Sequence, residues 1–262
     1  SSGSDMNGMA ASGAARALRE RLAALAAGHF GVSASEVVFS GNRVHAGARS
    51  LPLADLTVLA HRARVSLSAV GFYATPKIHY DRKTFTGRPF FYFAYGAAVS
   101  EVVIDTLTGE NRIFAVDVLH DVGASLNPAL DRGQLEGGFL QGVGWLTMEE
   151  LWWNERGELG THSPSTYKIP ACRDWPERFA FDWFGEPNRE DTIHRSKAIG
   201  EPPLMLALSV FHALRDAIAS VADYRISPRL DAPATNEAIL FAIQEIARRD
   251  ARAAIAPAGV NR

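Results

Sequence analysis

The chain has 262 residues, of which 47% are hydrophobic and 21% are charged, an ordinary globular composition with ample apolar material for a core. A formal net charge of −2 gives no basic field for gripping a phosphate backbone, so nucleic acid is a poor candidate for a partner. The most apolar long stretch, residues 203–221, contains His212, Arg215 and Asp216, which argues against a membrane span.

The first third of the chain predicts helices and a short hairpin. Residues 7–27 carry alanine and leucine at helical spacing. Two short strands at 36–40 and 43–46 are joined by a Gly-Asn turn, and a second short helix follows at 52–63. Residues 65–70 alternate apolar and small polar side chains, which is typical of a half-buried strand.

The middle of the chain predicts a β-hairpin followed by a helix. Aromatic-rich residues 90–105 lead through a turn at 106–110 into a strand at 112–118. Residues 131–153 have the pattern of a long helix that is rich in glycine in its first half.

The last third predicts one more strand and two helices, with the boundaries 178–184, 202–221 and 235–249, after an irregular stretch at 164–176. Because helices and hairpin strands are interspersed, the fold class is predicted to be α+β, with mixed sheets and packed helices. The length fits one domain over 1–262, or two intimately packed lobes of about 1–120 and 121–262.

The cysteine count bears on the redox compartment of the protein, and the first residues bear on the origin of its N-terminus. Cys172 is the only cysteine, so the chain has no internal disulfide and no cysteine cluster for zinc or an iron–sulfur centre. A reducing compartment, the cytoplasm, is the easier fit. The first residues are Ser-Ser-Gly-Ser without Met, which indicates a tag remnant, a processed end or a cut inside a longer chain.

Residues 197–203, Lys-Ala-Ile-Gly-Glu-Pro-Pro, place Glu201 where irregular chain becomes a helix. A carboxylate there meets the positive end of the helix dipole, which favours a simple capping role. In a water-poor pocket, desolvation would instead raise its pKa toward that of a general base. The residues alone leave both interpretations open.

The glycine-rich helix needs compensation, because four glycines within about eight residues cost roughly 1 kcal/mol each relative to alanine. Tight helix packing and a ligand lying against the backbone are equally good explanations. Gln141 lies among these glycines and carries an amide that can both donate and accept hydrogen bonds toward a polar heterocycle.

Two further segments have mainly structural interpretations. Residues 121–128, Asp-Val-Gly-Ala-Ser-Leu-Asn-Pro, are typical of a loop held by side-chain-to-backbone hydrogen bonds. The opening Ser1, Ser2, Gly3 and Ser4 precede a helix directly, so their hydroxyl and N–H groups could bind a phosphate, but the residues alone favour an N-cap or a cloning scar.

Five segments together resemble the xanthine dehydrogenase family of molybdenum hydroxylases, in the C-terminal part of its molybdopterin-binding domain. They occur in the family's order: SLSAVGFY at 66–73, GRPFFYFAYG at 87–96, DVGASLNP at 121–128, GFLQGVG at 138–144 and SKAIGEPP at 196–203. Within this superfamily, STYKIP at 165–170 and GEPP at 200–203 look like the xanthine branch, since aldehyde oxidases tend to lack Ser-Thr before the Tyr and Pro-Pro after the Glu.

The resemblance implies roles that the residues alone do not show. Glu201 would be the catalytic base beside a molybdenum that carries a terminal sulfido ligand and is held by a pyranopterin, and it would activate the hydroxyl that attacks a purine. Gln141, Gly200 and the loop of Ser1, Ser2, Gly3 and Ser4 would bind this molybdopterin. No side chain of this chain is implied as a metal ligand.

The resemblance also implies that this chain is part of a larger enzyme. Substrate-clamping residues and the remaining pterin contacts would lie in the rest of the molybdenum subunit, and 2Fe–2S clusters and FAD in other domains or subunits. The predicted reaction is hydroxylation of xanthine or hypoxanthine. Two alternatives stay open: an aldehyde or N-heterocycle oxidoreductase of the same superfamily, and a non-catalytic assembly subunit.

Overall fold

The structure is a computed structural model that describes residues 3–255, with side chains described as far as residue 252. The chain divides into two compact units between Tyr92 and Phe93. This division lies before the boundary near residue 120 that the sequence suggested, because the strand that ends there pairs with a strand of the second half. No helix among the described residues combines the length and the apolar character that crossing a bilayer requires.

The N-terminal unit consists of two α-helices and two small antiparallel sheets. Its elements are α1 (Gly3–Phe30), β1 (Val37–Ser40), β2 (Arg43–Ala46), β3 (Arg49–Pro52), α2 (Leu53–Arg62), β4 (His79–Asp81) and β5 (Thr86–Arg88). Strands β1, β2 and β3 form one sheet, and β4 and β5 form the other. A small core, which includes Ala26, Phe30, Val44 and Leu56, joins α1 and α2 to the first sheet.

Most predictions in this unit are confirmed, but the strand predicted at 65–70 is wrong. These residues form no β-ladder, and Val70 is 96% exposed. The carbonyl oxygens of Ser66 and Ser68 instead accept hydrogen bonds from Arg21 Nη1 of α1, at 2.7 and 3.0 Å. The Arg21 side chain therefore satisfies backbone carbonyl groups that a neighbouring strand would otherwise bind. Strands β3, β4 and β5 were not predicted.

The C-terminal unit is a three-stranded mixed sheet with helices packed against it. Its elements are β6 (Gly96–Ile104), β7 (Asn111–His120), α3 (Pro128–Thr147), β8 (Arg178–Trp183), α4 (Leu208–Ser220) and α5 (Asn236–Ile255). Strand β7 is central, antiparallel to β6 and parallel to β8. Large core side chains of the sheet and the helices include Val116, Phe139, Val143, Leu214 and Ile239. The predicted α+β class with a mixed sheet is confirmed.

Helix α3 begins earlier and ends earlier than the predicted 131–153. Asn127 caps its start, since Asn127 Oδ1 accepts the N–H of Leu130 at 3.3 Å. The helix ends at Thr147. The next residue, Met148, has a φ of −146°, and the N–H groups of Met148 and Glu149 both donate to the carbonyl oxygen of Gly144. The apolar pattern after Thr147 is therefore not helical.

The helix predicted at 202–221 is confirmed in extent but not in type. It begins as a 3-10 helix over Pro202–Ala207 and continues as α4. Two successive prolines provide no N–H groups for the first turn, which suits a helix start. Glu201 therefore lies at the N-cap position of a short 3-10 helix.

Candidate functional site

Glu201 is exposed and occupies the N-cap position of the 3-10 helix, with φ −101° and ψ −37°. Its backbone carbonyl accepts the N–H of Leu204 at 3.1 Å, but its side chain makes no capping hydrogen bond to the helix. The capping interpretation of this carboxylate thus lacks its defining contact. The start of the helix fixes the backbone of Glu201, whereas the Glu201 carboxylate does not cap the helix.

The glycines of α3 bring that helix into close contact with the segment around Glu201. A Cβ atom on Gly138 would lie 3.1 Å from the carbonyl oxygen of Gly200 and 3.3 Å from Pro203 Cβ. A Cβ atom on Gly142 would lie only 2.3 Å from the carbonyl oxygen of Leu204. Close packing therefore explains these two glycines, one turn apart on α3.

Gly133 and Gly137, also on α3, are not explained in this way. A Cβ atom on Gly133 or on Gly137 would meet no atom of the chain within 4 Å. Both glycines and Gln141 are exposed, and their spacing of four residues places them along one side of the helix. The side of α3 that carries Gln141 is therefore accessible from outside the chain.

The predicted site residues are only partly brought together. Gln141, Gly200 and Glu201 lie in the C-terminal unit, where α3 contacts the segment that ends in Glu201. Gly3 and Ser4 are exposed residues at the start of α1 in the N-terminal unit. Ser1 and Ser2, which the resemblance also assigned to the cofactor, lie outside the described residues.

The segment before Glu201 is anchored by buried polar side chains that sequence reasoning missed. Asn188 Nδ2 and Thr192 Oγ1 both donate to the carbonyl oxygen of Ser196, at 3.1 and 2.6 Å. Asn188, Thr192 and Ser196 are all buried. Lys197 forms an ion pair with Asp121 of the loop after β7. The sequence offered no local signal for these contacts, because Asp121 and Lys197 are 76 positions apart.

The loop at 121–128 has the structural role that its sequence predicted. Asp121 Oδ1 accepts the N–H of Gly123 at 3.0 Å, and Asn127 caps α3. Asp131, in the first turn of α3, is 8% exposed and accepts a short hydrogen bond from the hydroxyl of Ser125. These contacts hold the loop against the helix and the segment that leads to Glu201.

A separate polar cleft of about 590 Å³ lies in the C-terminal unit beside the end of α3. Its lining includes Asn111, Glu150, Lys168, Asp174 and Glu237. Gln141, Gly200 and Glu201 do not line it. Among residues 3–255, no group of three or more His, Cys, Asp or Glu side chains is arranged to hold a metal ion.

His120, the last residue of β7, is 1% exposed, and its Nδ1 atom makes no hydrogen bond. Burial lowers the pKa of His120 below its ordinary 6.5, and the neighbouring carboxylate of Asp121 opposes that shift only in part. The imidazole is therefore held neutral beside the ion pair of Asp121 and Lys197.

This burial predicts a loss of stability in mild acid. As the pH falls below about 6.5, His120 binds a proton in the unfolded chain but not in the folded one, so the free energy of unfolding decreases, by up to about 1.4 kcal/mol per pH unit. Urea denaturation between about pH 7.5 and pH 5.5 measures this slope. His120→Phe should flatten it and His79→Gln, at an exposed position, should not; an unchanged slope in His120→Phe would contradict the assignment.

Comparison with known proteins identifies a family. The profile of a family described as a molybdopterin cofactor-binding domain matches residues 1–176, which is more than half of the chain. Xanthine dehydrogenase/oxidase of Rattus norvegicus is 49% identical over 185 residues, covering 69% of this chain and 14% of that protein. Aldehyde oxidase 1 of Bos taurus is 41% identical over 194 residues, covering 73% of this chain and 14% of that protein.

Among solved structures, quinoline 2-oxidoreductase from Pseudomonas putida 86 superposes with a TM-score of 0.69. The two are 24% identical, and the match covers 88% of this chain and 28% of that chain. At this identity the similarity supports the α+β fold and nothing finer. The chain spans 14% of the length of both curated relatives, so it corresponds to a small part of proteins of that size.

Proposed function

This chain belongs to the molybdopterin cofactor-binding domain family, as its motifs predicted, and on that premise we propose that it forms part of a molybdenum hydroxylase of the xanthine dehydrogenase type. The proposed reaction is the oxidative hydroxylation of xanthine or hypoxanthine, with Glu201 as the catalytic base. The xanthine branch is favoured by the segments at 165–170 and 200–203 and by the higher identity to the rat xanthine dehydrogenase/oxidase than to the bovine aldehyde oxidase.

The observation that carries the proposal is the position and exposure of the Glu201 side chain. It stands on a backbone fixed by the 3-10 helix and by α3, yet it does not cap that helix and is exposed. A general base needs a fixed position and a carboxylate oxygen that remains accessible to the reacting proton. The held backbone and the exposure of Glu201 support this assignment.

The residues around Glu201 fit a molybdopterin. The exposed amide of Gln141 offers two donors and an acceptor to a polar heterocycle, and the glycines at 133 and 137 leave open space along the same side of α3. Gln141, Gly200 and the N-terminal residues Ser1, Ser2, Gly3 and Ser4 would hold the cofactor in the assembled enzyme. When bound, the cofactor would supply the redox and Lewis-acid chemistry of the reaction.

Within this scheme the contribution of Glu201 is proton transfer. One of its carboxylate oxygens would accept the proton of the attacking hydroxyl, which lowers the cost of forming the nucleophile. Since Glu201 is exposed in this chain, the remaining part of the molybdenum subunit would have to exclude water from it. That desolvation would raise its pKa toward the range useful for a base at neutral pH.

The proposal includes partners that complete the enzyme. The rest of the molybdenum subunit would provide the substrate-clamping side chains, and separate domains or subunits would carry the 2Fe–2S clusters and FAD. A cytoplasmic location is part of the same proposal, because the single Cys172 is exposed and unpaired.

The test is purification of the complete protein that contains this chain, followed by metal analysis, pterin analysis and two assays. We expect molybdenum and a pterin, with turnover of xanthine well above that of benzaldehyde. Preference for benzaldehyde would move the protein to the aldehyde-oxidising branch. A preparation without molybdenum and pterin would support a non-catalytic assembly subunit and overturn the proposal.

The predicted role of Gln141 has a separate test. Gln141→Ala in the complete protein should weaken cofactor retention by roughly tenfold, because leaving a buried partner without its hydrogen bond costs about 1–3 kcal/mol. The measurement is molybdenum and pterin content after extended dialysis. Gln244→Ala is a matched control, since Gln244 is an exposed glutamine on a different helix, α5. Equal retention in both variants would count against a cofactor contact at Gln141.

A further inference from the structure

Asp121 and Lys197 form an ion pair that is largely removed from water. Lys197 Nζ lies 2.5 Å from Asp121 Oδ2, and the two side chains are only 10% and 13% exposed. By contrast, the ion pair of Asp117 and Arg178, which joins β7 to β8, has side chains that are 52% and 57% exposed. Because two charges lose their hydration in a buried pair, such a pair persists only with good geometry and additional hydrogen bonds.

Both members of the pair have these additional contacts. Lys197 Nζ also donates to the carbonyl oxygen of Phe93 at 2.9 Å and lies 5.6 Å from the centroid of the Tyr95 ring. Asp121 Oδ1 accepts the N–H of Gly123 at 3.0 Å, and the N–H of Asp121 donates to the carbonyl oxygen of Tyr95 at 2.8 Å. The ammonium and the carboxylate are therefore each fixed by several partners.

The ion pair lies beside a short backbone ladder. The N–H of Lys197 donates to the carbonyl oxygen of Val122, and the N–H of Ala124 donates to the carbonyl oxygen of Arg195, both at 2.9 Å. Gly123, between these bonds, has a φ of +62°, and a Cβ atom there would lie 2.6 Å from the carbonyl oxygen of Arg195. The loop after β7 and the segment at 195–197 are thus paired at close range, with the ion pair at the end of the ladder.

We propose that Asp121 and Lys197 are positioning residues that fix the location of Glu201, an inference that rests on the function proposed above. Lys197 precedes Glu201 by four residues. Before Glu201 the chain is held by the ion pair and the ladder, and after it by α3, which contacts Pro203 and Leu204. Glu201 therefore lies on a short span between two fixed points.

The pair specifies position rather than simply filling space. Two apolar residues of similar volume could occupy the same site without loss of stability, since a buried ion pair is often no more stabilising than a hydrophobic replacement. Apolar residues would not, however, select one register between the loop and the segment at 195–197. A general base must lie within about 3 Å of the proton that it accepts, and a displacement of about 1 Å can lower the rate about 10²-fold.

The first experiment replaces Lys197 by Met in the complete, cofactor-loaded enzyme. We expect kcat to fall by at least about tenfold at every pH tested, while KM stays within about twofold of wild type. Arg178→Met, which removes a cation from the exposed pair on β7 and β8, should leave both constants unchanged. A shifted pH profile with an unchanged maximal kcat would show that Lys197 acts through its charge, which would overturn a positioning role.

The second experiment separates this inference from the proposed function. In a Glu201→Gln background, Lys197→Met should cause no further loss of turnover, because a positioning residue acts through the base that it positions. Multiplicative losses would overturn the inference. If Glu201→Gln alone leaves turnover unchanged, the proposed function fails; if Glu201→Gln lowers turnover and Lys197→Met does not, only the positioning role fails.

The third experiment measures the local stability of the segment at 195–204 directly, and it adds a double variant in which neither charge is buried. Amide hydrogen exchange at 195–204 should accelerate by at least about tenfold in Lys197→Met, while exchange in β7 stays unchanged. Asp121→Leu combined with Lys197→Met leaves no uncompensated buried charge, so it should fold even if the single variant does not. Low turnover in this folded double variant supports the proposal, and wild-type turnover with wild-type exchange overturns it.

Discussion

Glu201→Gln is expected to lower the turnover of the complete enzyme by at least about 10²-fold, a typical contribution of a general base. The amide has nearly the shape of the carboxylate but cannot accept the proton. Because Glu201 is exposed and glutamine has nearly the same size, the substitution should change the stability of the protein by no more than about 0.5 kcal/mol. Folding and cofactor content should therefore stay near those of wild type.

The measurement is steady-state turnover together with molybdenum content and thermal stability. Glu237→Gln is a suitable control, because Glu237 is also exposed and lies in the first turn of α5 but is remote in sequence from the site. We expect the control to retain full turnover. Near-wild-type turnover in Glu201→Gln would show that this carboxylate is not the base, and a parallel loss of molybdenum would indicate a role in holding the cofactor instead.

Local sequence patterns predicted the elements whose structure depends on local interactions. The spacing of apolar residues predicted α1, α2, α4 and α5, and the turn between two aromatic- and valine-rich stretches predicted the hairpin of β6 and β7. The strand expected at 65–70 failed for a long-range reason. Its alternating pattern is real, but its carbonyl oxygens accept hydrogen bonds from Arg21, more than 40 residues earlier, and no alternation rule can foresee that.

The candidate site divides in the same way. The sequence Gly-Glu-Pro-Pro predicted the position of Glu201 at a helix start, and Gln141 stood out among glycines. The sequence could not predict whether the carboxylate caps the helix, because a capping residue and a general base would occupy the same position. The pair of Asp121 and Lys197 escaped prediction because it joins two segments that only the folded sheet and loop bring together.

The glycines of α3 posed a choice between close packing and ligand contact, and the structure shows close packing at only some of them. Gly138 and Gly142 pack against the segment that carries Glu201, whereas Gly133 and Gly137 face open space. One helix therefore contains both packed glycines and glycines beside open space, which the sequence alone presents as a single cluster. This difference supports a paired prediction in which the helix itself is the internal control.

Gly142→Ala should destabilise the protein and lower its turnover, whereas Gly137→Ala should stabilise it. Both substitutions gain up to about 1 kcal/mol of helix propensity, so their difference reports packing alone. At position 142 the new Cβ would lie 2.3 Å from the carbonyl oxygen of Leu204 and 2.7 Å from Ala207 Cβ, and a backbone atom cannot move away cheaply. Overpacking of this kind costs about 1–3 kcal/mol.

The same displacement reaches the candidate base. The N–H of Leu204 donates to the carbonyl oxygen of Glu201, so a shift of Leu204 away from α3 moves the turn that holds Glu201. We expect Gly142→Ala to lose at least about tenfold in turnover and to be at least about 2 kcal/mol less stable than Gly137→Ala in urea denaturation. If Gly142→Ala were as stable as Gly137→Ala and as active as wild type, α3 would not hold the Glu201 segment in place, and the second of the two fixed points around the base would be lost.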